Sequence, residues 1–383
     1  MIYLDVAATT KPKQEVVDAM IPYYTDKWYN PSSLYSSAVK IKKDIENARQ
    51  TIGDSINANG SEIFFTSGGS EANCWAIRGF IDNCRINCRN PVIITSIIEH
   101  KSILNCLDHM DADVYHIEVD KNGYINLKLL EEILHHLSVE NSIDNILVSI
   151  QFANNEIGTI QKIKEIARIS HKYNAIFHTD AVQAFGKLHI DVEKIGIDML
   201  SASGHKIGAP KGIGFLYKKS SIEIQPLIYG SQMDSMRGGT ENVANIIGMA
   251  KAVETMDYNW NMKSIRNYMI DMLQDNFNCK INGSIVDRLS NNISVTFHQN
   301  ITAEALIYIL DMSGIFIASG SACNSHSSMP SHVLKAIGLT DEEAARTIRI
   351  TLPDDIGYDE FDYALIDEVI YELDKSIKFL LME

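Results

Sequence analysis

The sequence predicts an α/β architecture: a mostly parallel sheet covered by helices on both faces, followed by a smaller α+β unit. Three observations carry that expectation. Seven short apolar segments rich in β-branched residues recur between residues 62 and 217. Most gaps between them hold stretches with helical spacing, and strand alternating with helix is the pattern of parallel strands joined by crossovers. The chain has 383 residues, more than one core usually organises, so two domains are expected.

Taken in order, the first strong element is a helix, marked by Ala38, Ile41, Ile45, Ala48 and Ile52 with Lys42, Lys43, Asp44 and Glu46 between them. The strand candidates then fall at 62–67 (EIFFTS), 91–96 (PVIITS), 114–119 (VYHIEV), 145–150 (NILVSI), 175–180 (AIFHTD), 198–203 (DMLSAS) and 212–217 (GIGFLY). Residues 127–137 and 163–173 read as helices between them. Segments 291–297, 314–319 and 346–352 read as strands of the smaller unit, and a last helix covers about 360–380. The polar stretch 257–263 interrupts the pattern. It divides the chain into a large domain, 15–256, and a small domain built from 1–14 and 257–383.

Charge and composition narrow the function. Hydrophobic residues make up 45% and charged residues 22%, the balance of an ordinary globular protein. Lys and Arg total 34 against 49 Asp and Glu, a net charge of −15 that repels nucleic acid and anionic lipid. Neither is expected as a partner. The start MIYLDVAATT has no basic, apolar leader, no segment is long and apolar enough to span a bilayer, and six cysteines are too few for a disulfide framework. A cytoplasmic enzyme is the expectation. Cys84 and Cys88 lack the rest of a four-ligand set nearby, so no metal is expected.

The chemistry gathers after the strands. In open α/β sheets, ligands sit beyond the carboxyl ends of the strands. Those ends read TSGGSEAN (66–73), TSIIEHKS (95–102), FANNE (152–156), HTDAVQ (178–183) and SASGHK (201–206). The loop Gly68–Gly69–Ser70 precedes a helix at 71–80 and is either a phosphate cradle or a plain helix cap made by Ser70. It has neither Walker nor GxGxxG spacing, so a nucleotide is not indicated. Asp180, ending a buried strand, requires a partner: a cation, a backbone amide or a protonated ring nitrogen. Lys206 is either a solvated surface charge or a Schiff-base former. An Asp and a Schiff-base Lys together are the pairing expected of pyridoxal phosphate.

The ordered blocks YLDVAATT (3–10), NPSS (30–33), TSGGSEAN, IEHKS (98–102), NNEIG (154–158), HTDAVQ, SGHKIGAPKGIG (203–214), RGGTENV (237–243), SGSAC (319–323) and RTIRI (346–350) resemble a cysteine desulfurase. The resemblance is to the NifS/IscS-like group of class-V aminotransferases, among the fold-type-I pyridoxal-phosphate enzymes, and it covers essentially the whole chain. It implies a seven-stranded, mostly parallel sheet in the large domain. It implies that Lys206 holds pyridoxal 5'-phosphate covalently, that Asp180 keeps the pyridine nitrogen protonated, and that His100 stacks on the ring and handles protons. Asn154 and Gln183 would bond the ring hydroxyl side, with Asn154 also near substrate. Gly69, Ser70, Ser203 and His205 would take the phosphate, and Thr240 would reach the phosphate of a second subunit, implying a homodimer with shared sites.

The same resemblance implies L-cysteine as substrate, L-alanine as product and a persulfide on Cys323. A free thiol near ~8.5 is mostly protonated at neutral pH, so the site must assist Cys323. SGSACNS resembles a long loop that carries sulfur outward, with His326 an unusual residue inside it. Arg349 resembles the arginine that pairs with the substrate carboxylate, a bidentate task suited to a guanidinium. A protein sulfur acceptor, such as an iron–sulfur scaffold or a tRNA-thiolation enzyme, would be the partner. One departure follows Arg349, where TLPDDIG places Pro353 and Asp354 in place of the usual Gly-Arg-like step. Alternatives are a selenocysteine lyase, an aminotransferase of the same fold, or a low-activity pyridoxal-binding sulfur carrier.

Overall fold

The computed structural model describes residues 1–140, 145–258, 261–320, 330–356 and 361–382. Strand β1 (Ile2–Tyr3) opens the chain. The seven expected segments then form β2 (Ile63–Thr66), β3 (Val92–Ser96), β4 (Asp113–Ile117), β5 (Ile146–Ser149), β6 (Ile176–Asp180), β7 (Met199–Ser203) and β8 (Gly214–Lys218). They make one sheet in the order β2-β8-β7-β6-β5-β3-β4. β8 runs antiparallel to both its neighbours, and every other pairing is parallel.

Side-chain alternation explains why this sheet lies inside the molecule. Successive residues of a strand point to opposite faces. Ile63 and Phe65, Val92 and Ile94, and Ile146 and Val148 enter one apolar core, while Phe64, Ile93 and Leu147 enter another on the opposite face. Both faces are apolar, so both must be covered. The helix Ser36–Ser55 contributes to the first core with Ala48, Ile41, Ile45 and Ile52, and Ala38 is also fully buried. The helix Gly69–Ile86 covers the second with Ala72, Trp75, Ala76 and Phe80.

A second sheet lies further along the chain. β9 (Cys279–Ile281) and β10 (Asn292–Phe297) come first, then β11 (Ile315–Phe316), β12 (Ala318–Ser319) and β13 (Thr347–Thr351). β12-β13-β10-β9 form a four-stranded antiparallel sheet. The stretch 314–319, expected as one strand, is two: β11 pairs in parallel with β1, and β12 pairs with β13. The backbone changes partner at Ile317 because one half meets the N-terminus and the other meets the sheet. Leu4 packs in the core of this unit with Ile293, Val295, Ile348, Ile350 and Leu373, whereas Val16 packs in the core of the large sheet. Residues 5–13 therefore cross from one core to the other. The helix Phe361–Met382 closes the second unit. Among the described residues no helix is long and apolar enough to cross a membrane.

Candidate active site

The polar ends of β2, β3, β5, β6 and β7 face a single cavity of about 290 Å³. Gly69, Ser70, His100, Asp180, Gln183, Ser203, His205 and Lys206 line it, and Ala7, Ala8 and Arg349 arrive from outside the large sheet. A parallel sheet produces this convergence by aligning its strand ends.

Asp180 is the last residue of β6 and 6% exposed. One carboxylate oxygen accepts the Val182 N–H at 2.9 Å, and the other accepts Asn73 Nδ2 at 2.7 Å. The same Asn73 nitrogen lies 2.9 Å from Ser102 Oγ, which is 2.8 Å from His100 Nδ1. The Asp180 carboxylate and the His100 imidazole are thus joined by three hydrogen bonds through one amide and one hydroxyl. His100 caps the helix Lys101–Leu107, its Nδ1 accepting the Ser102 main-chain N–H at 3.1 Å. An N–H can only donate, so Nδ1 is the bare nitrogen of the neutral ring and Nε2 carries the proton.

The helix Gly69–Ile86 starts at the cavity wall, and among the described residues no side chain caps it. Ser70 does not cap the helix: Gly68 holds the cap position, so the helix-cap alternative for this serine is not what the loop does. The uncapped N–H groups and the macrodipole leave an anion-binding end beside Ser203 and His205. Gly69 is required there, since a Cβ would stand 2.5 Å from Val182 Cγ2. Glu71 in the first turn accepts Ser67 N–H at 2.8 Å and pairs with Arg237 at 2.9 Å, fastening the 237–243 segment to this loop.

Lys206 is 9% exposed and follows β7 in a short 3-10 turn, Gly204–Lys206. Its ammonium donates to the main-chain oxygens of Ala7 and Ala8, the second at 2.7 Å. Gln183 Nε2 donates to the same Ala7 oxygen at 3.1 Å. The crossing segment is further held by Thr10, whose N–H and hydroxyl both donate to the His205 oxygen, at 2.8 and 2.9 Å. His205 Nδ1 meets Thr9 Oγ1 at 3.1 Å. Burial and the nearby Lys206 and Lys211 charges push His205 down to about 4, so it is neutral at physiological pH.

Arg349 lies at the centre of β13 and is 1% exposed. Nη2 pairs with Asp5 at 2.6 Å and Nη1 donates to the Asn155 oxygen at 3.2 Å. Its Nε has no hydrogen-bond partner among the described residues. Arg349 is among the residues lining the cavity, so its guanidinium is a cation at the wall where a substrate anion can be met.

Residues 2–353 match the sequence profile of the family described as Aminotransferase class-V. The chain belongs to the class-V aminotransferase family. Within that family it resembles the proteins called cysteine desulfurase IscS. That of Clostridium botulinum is 42% identical over 376 residues, covering 95% of this chain and 92% of the relative. That of Methanosarcina thermophila is 42% identical over 360 residues, covering 92% and 87%. Among solved structures, a NifS-like protein superposes with a TM-score of 0.88 at 31% identity, covering 99% of this chain and all of that one. A structure described as SspA in complex with cysteine gives 0.80 at 37%, covering 92% and 99%. Enzymes of the class-V aminotransferase family depend on pyridoxal phosphate. The fold is that of the fold-type-I enzymes.

Two of the expected site residues do not line this cavity. Asn154 is fully buried behind the cavity wall, its Oδ1 taken by the N–H groups of Glu156 and Ile157 and its Nδ2 by the Ile98 oxygen. Asn155 lines the cavity instead. Thr240, expected to serve the site of a second subunit, is exposed and does not line the cavity of its own chain. Cys323 and His326 lie outside the described residues, but both flanks are placed. β12 pairs beside Arg349 (Ala318↔Arg349), and after Pro330, Ser331 donates to Glu156 while His332 Nε2 lies 3.0 Å from the Glu99 oxygen.

Sequence reasoning missed Asn73, Ser102, Gln151, Ala7, Ala8 and Asn155 on the wall. Asn73 and Ser102 had a usable signal: each lies within a block already singled out, three or two residues beyond an assigned one. Ala7 and Ala8 contribute main-chain oxygens, which no side-chain pattern reveals. Pro353 and Asp354 do not line the cavity, and Asp354 pairs at 3.3 Å with Lys187.

Proposed function

We propose that this protein is a pyridoxal-phosphate-dependent cysteine desulfurase that turns L-cysteine into L-alanine and leaves the sulfur as a persulfide on Cys323. The observation that carries the reading is the meeting of a buried lysine, a strand-end carboxylate, an uncapped helix N-terminus and a buried arginine around one cavity.

The donor set fits the cofactor. The uncapped helix end with Gly69, Ser70, Ser203 and His205 suits its phosphate, and Thr240 of a second copy would complete that pocket in a homodimer. Asp180, fixed at both oxygens, suits a protonated ring nitrogen. Gln183, with Asn155 or Asn154, serves the ring hydroxyl side. Bound covalently to Lys206, the cofactor supplies an electron sink for charge developed at the substrate α-carbon. Residues 15–256 would then be the cofactor-binding domain, and 1–14 with 257–383 the domain that brings Arg349 and Cys323 to it.

The chain's own residues do the rest. Arg349, which lines the cavity, binds the substrate carboxylate through its guanidinium. Lys206 and His100 Nε2 hold and move protons at the substrate's α-carbon and sulfur. Cys323 attacks the substrate sulfur as thiolate; the carbon–sulfur bond breaks, and the sulfur stays on Cys323 for transfer to an acceptor protein. The acceptor of an iron–sulfur or thiolation system is the partner that fits this chemistry. A selenocysteine lyase would share all of this, and an aminotransferase would leave Cys323 idle.

The test incubates the protein with cysteine and a reductant and measures alanine and sulfide. Equal yields of both, lost in Cys323→Ser while the cofactor's visible absorbance is kept, support the reading. Sulfide formation at the normal rate by Cys323→Ser refutes the assigned nucleophile.

A further inference from the structure

Cys74 and Cys106 take no part in the chemistry above, yet their sulfurs face each other at 3.3 Å. They come from different helices. Cys74 follows Asn73 on the Gly69–Ile86 helix, and Cys106 is near the end of the Lys101–Leu107 helix that His100 caps. Both are half-buried, unlike buried Cys84 and exposed Cys88. Disulfide sulfurs stand about 2.05 Å apart. Closing a 3.3 Å gap therefore needs a movement of about 1 Å, within reach of small χ1 adjustments.

We propose that Cys74 and Cys106 are an oxidisable dithiol, an intramolecular disulfide site that ties the two helices together behind the cofactor cavity. Packing of two small apolar side chains is the competing explanation. It does not account for a thiol directed at a sulfur. The Cys106 S–H donates to Cys74, and this bond, with the Arg78 guanidinium one turn on, lowers the Cys74 thiol while the same bond raises Cys106. Burial instead pushes Cys84 and Cys279 up to about 11. Cys74 is thereby the sulfur prepared to react and Cys106 the one placed to resolve.

With hydrogen peroxide as oxidant the step balances. Cys74 thiolate attacks one peroxide oxygen and breaks the O–O bond, giving a sulfenic acid and a hydroxide that takes up the thiol's released proton as water. Cys106 sulfur then attacks the sulfenic sulfur, forming the S–S bond and releasing a second water. The two thiols lose two electrons, and the peroxide gains them. The consequence lies one residue away, where Asn73 Nδ2 spans Asp180 and Ser102. A covalent link at Cys74–Cys106 would fix the spacing of those two helices, and with it the Asp180-to-His100 bridge.

The full chain, in the absence of cysteine, is treated with hydrogen peroxide, its remaining thiols are alkylated with iodoacetamide, and peptides are mapped without reduction. The expected result is a cross-linked peptide joining Cys74 to Cys106, two hydrogens lighter than its reduced halves. It forms before Cys84 and Cys279 react and is reversed by dithiothreitol. A second probe, phenylarsine oxide, should bind the reduced protein and lose at least about tenfold in retention in Cys106→Ser, since it needs two adjacent thiols. Recovery of Cys74 and Cys106 as separately alkylated residues after exposed Cys88 is fully oxidised would overturn the proposal. So would linkage of either to a different cysteine. Neither result bears on cysteine desulfuration, which is read by alanine release.

Discussion

The two sides of the cavity are built in opposite ways. The side formed by β6 and β7 is local: Asp180 is the last residue of its strand, Lys206 lies three residues past the end of its own, and their positions follow from one sheet. The side formed by Arg349 is assembled across the chain. Its partner Asp5 is 344 residues away, and Ala7 N–H reaches Thr351 Oγ1 at 3.0 Å over the same separation. The cofactor side takes its positions from the strand ends of one mostly parallel sheet and is only braced by Ala7, Ala8, Thr9 and Thr10. The Asp5–Arg349 pair, by contrast, exists only because the first ten residues thread between two cores. Binding of the cofactor and binding of the substrate should therefore fail separately.

The largest expected effect is on the cofactor side. Lys206→Ala removes the covalent anchor and should abolish both the visible absorbance of bound cofactor and alanine formation, measured by spectrophotometry and amino-acid analysis. Arg349→Lys comes next and should leave that absorbance intact while lowering kcat/KM for cysteine about 100-fold, about 3 kcal/mol of lost bidentate binding. Loss of absorbance in Arg349→Lys would break the separation of the two sides.

Asp5→Asn tests the threading itself. Arg349 would keep a neutral acceptor but lose its ion-pair partner at 2.6 Å in a site where the guanidinium side chain is 2% exposed. A stability loss of about 2 kcal/mol in urea unfolding is expected, with a several-fold higher KM. Glu99 gives a pH signature at the junction, because it accepts from Ser96 and Gln151 and neighbours His100. Complete burial pushes its carboxyl from the ordinary 4.5 to about 8. Folding therefore binds its proton more tightly. That contribution is present below pH 4.5 and is lost as pH rises to about 8. The slope is at most about 1.4 kcal/mol per pH unit for one proton, and Glu99→Gln should flatten it in urea titrations compared with the parent protein. The smallest effect belongs to Asp354→Ala. Its half-exposed ion pair with Lys187 is worth less than about 1 kcal/mol, and kcat should not change.

The same contrast explains what could be read in advance. The seven strands of the large sheet were legible because short segments rich in β-branched and apolar residues alternate with helical stretches, and Asp180, Ser203, His205 and Lys206 followed at or just after their ends. The 314–319 segment was misread as one strand, because a change of pairing partner at Ile317 leaves no mark in local composition. Asn154 and Asn155 are adjacent and chemically identical, so only the backbone turn decides which faces the cavity and which holds the Glu156 and Ile157 N–H groups. The Asn73–Ser102 bridge needs two helices to be docked before it exists. Asp5 carried no sign of its role, because its partner is at the other end of the chain.

The most direct measurement is the mass of the Cys323 peptide after a short exposure to cysteine, with thiols alkylated at once. The account predicts that peptide heavier by one sulfur atom, in amounts matching the alanine formed in a single turnover. Alanine appearing with no added sulfur on Cys323, or with the sulfur on another cysteine, would contradict it.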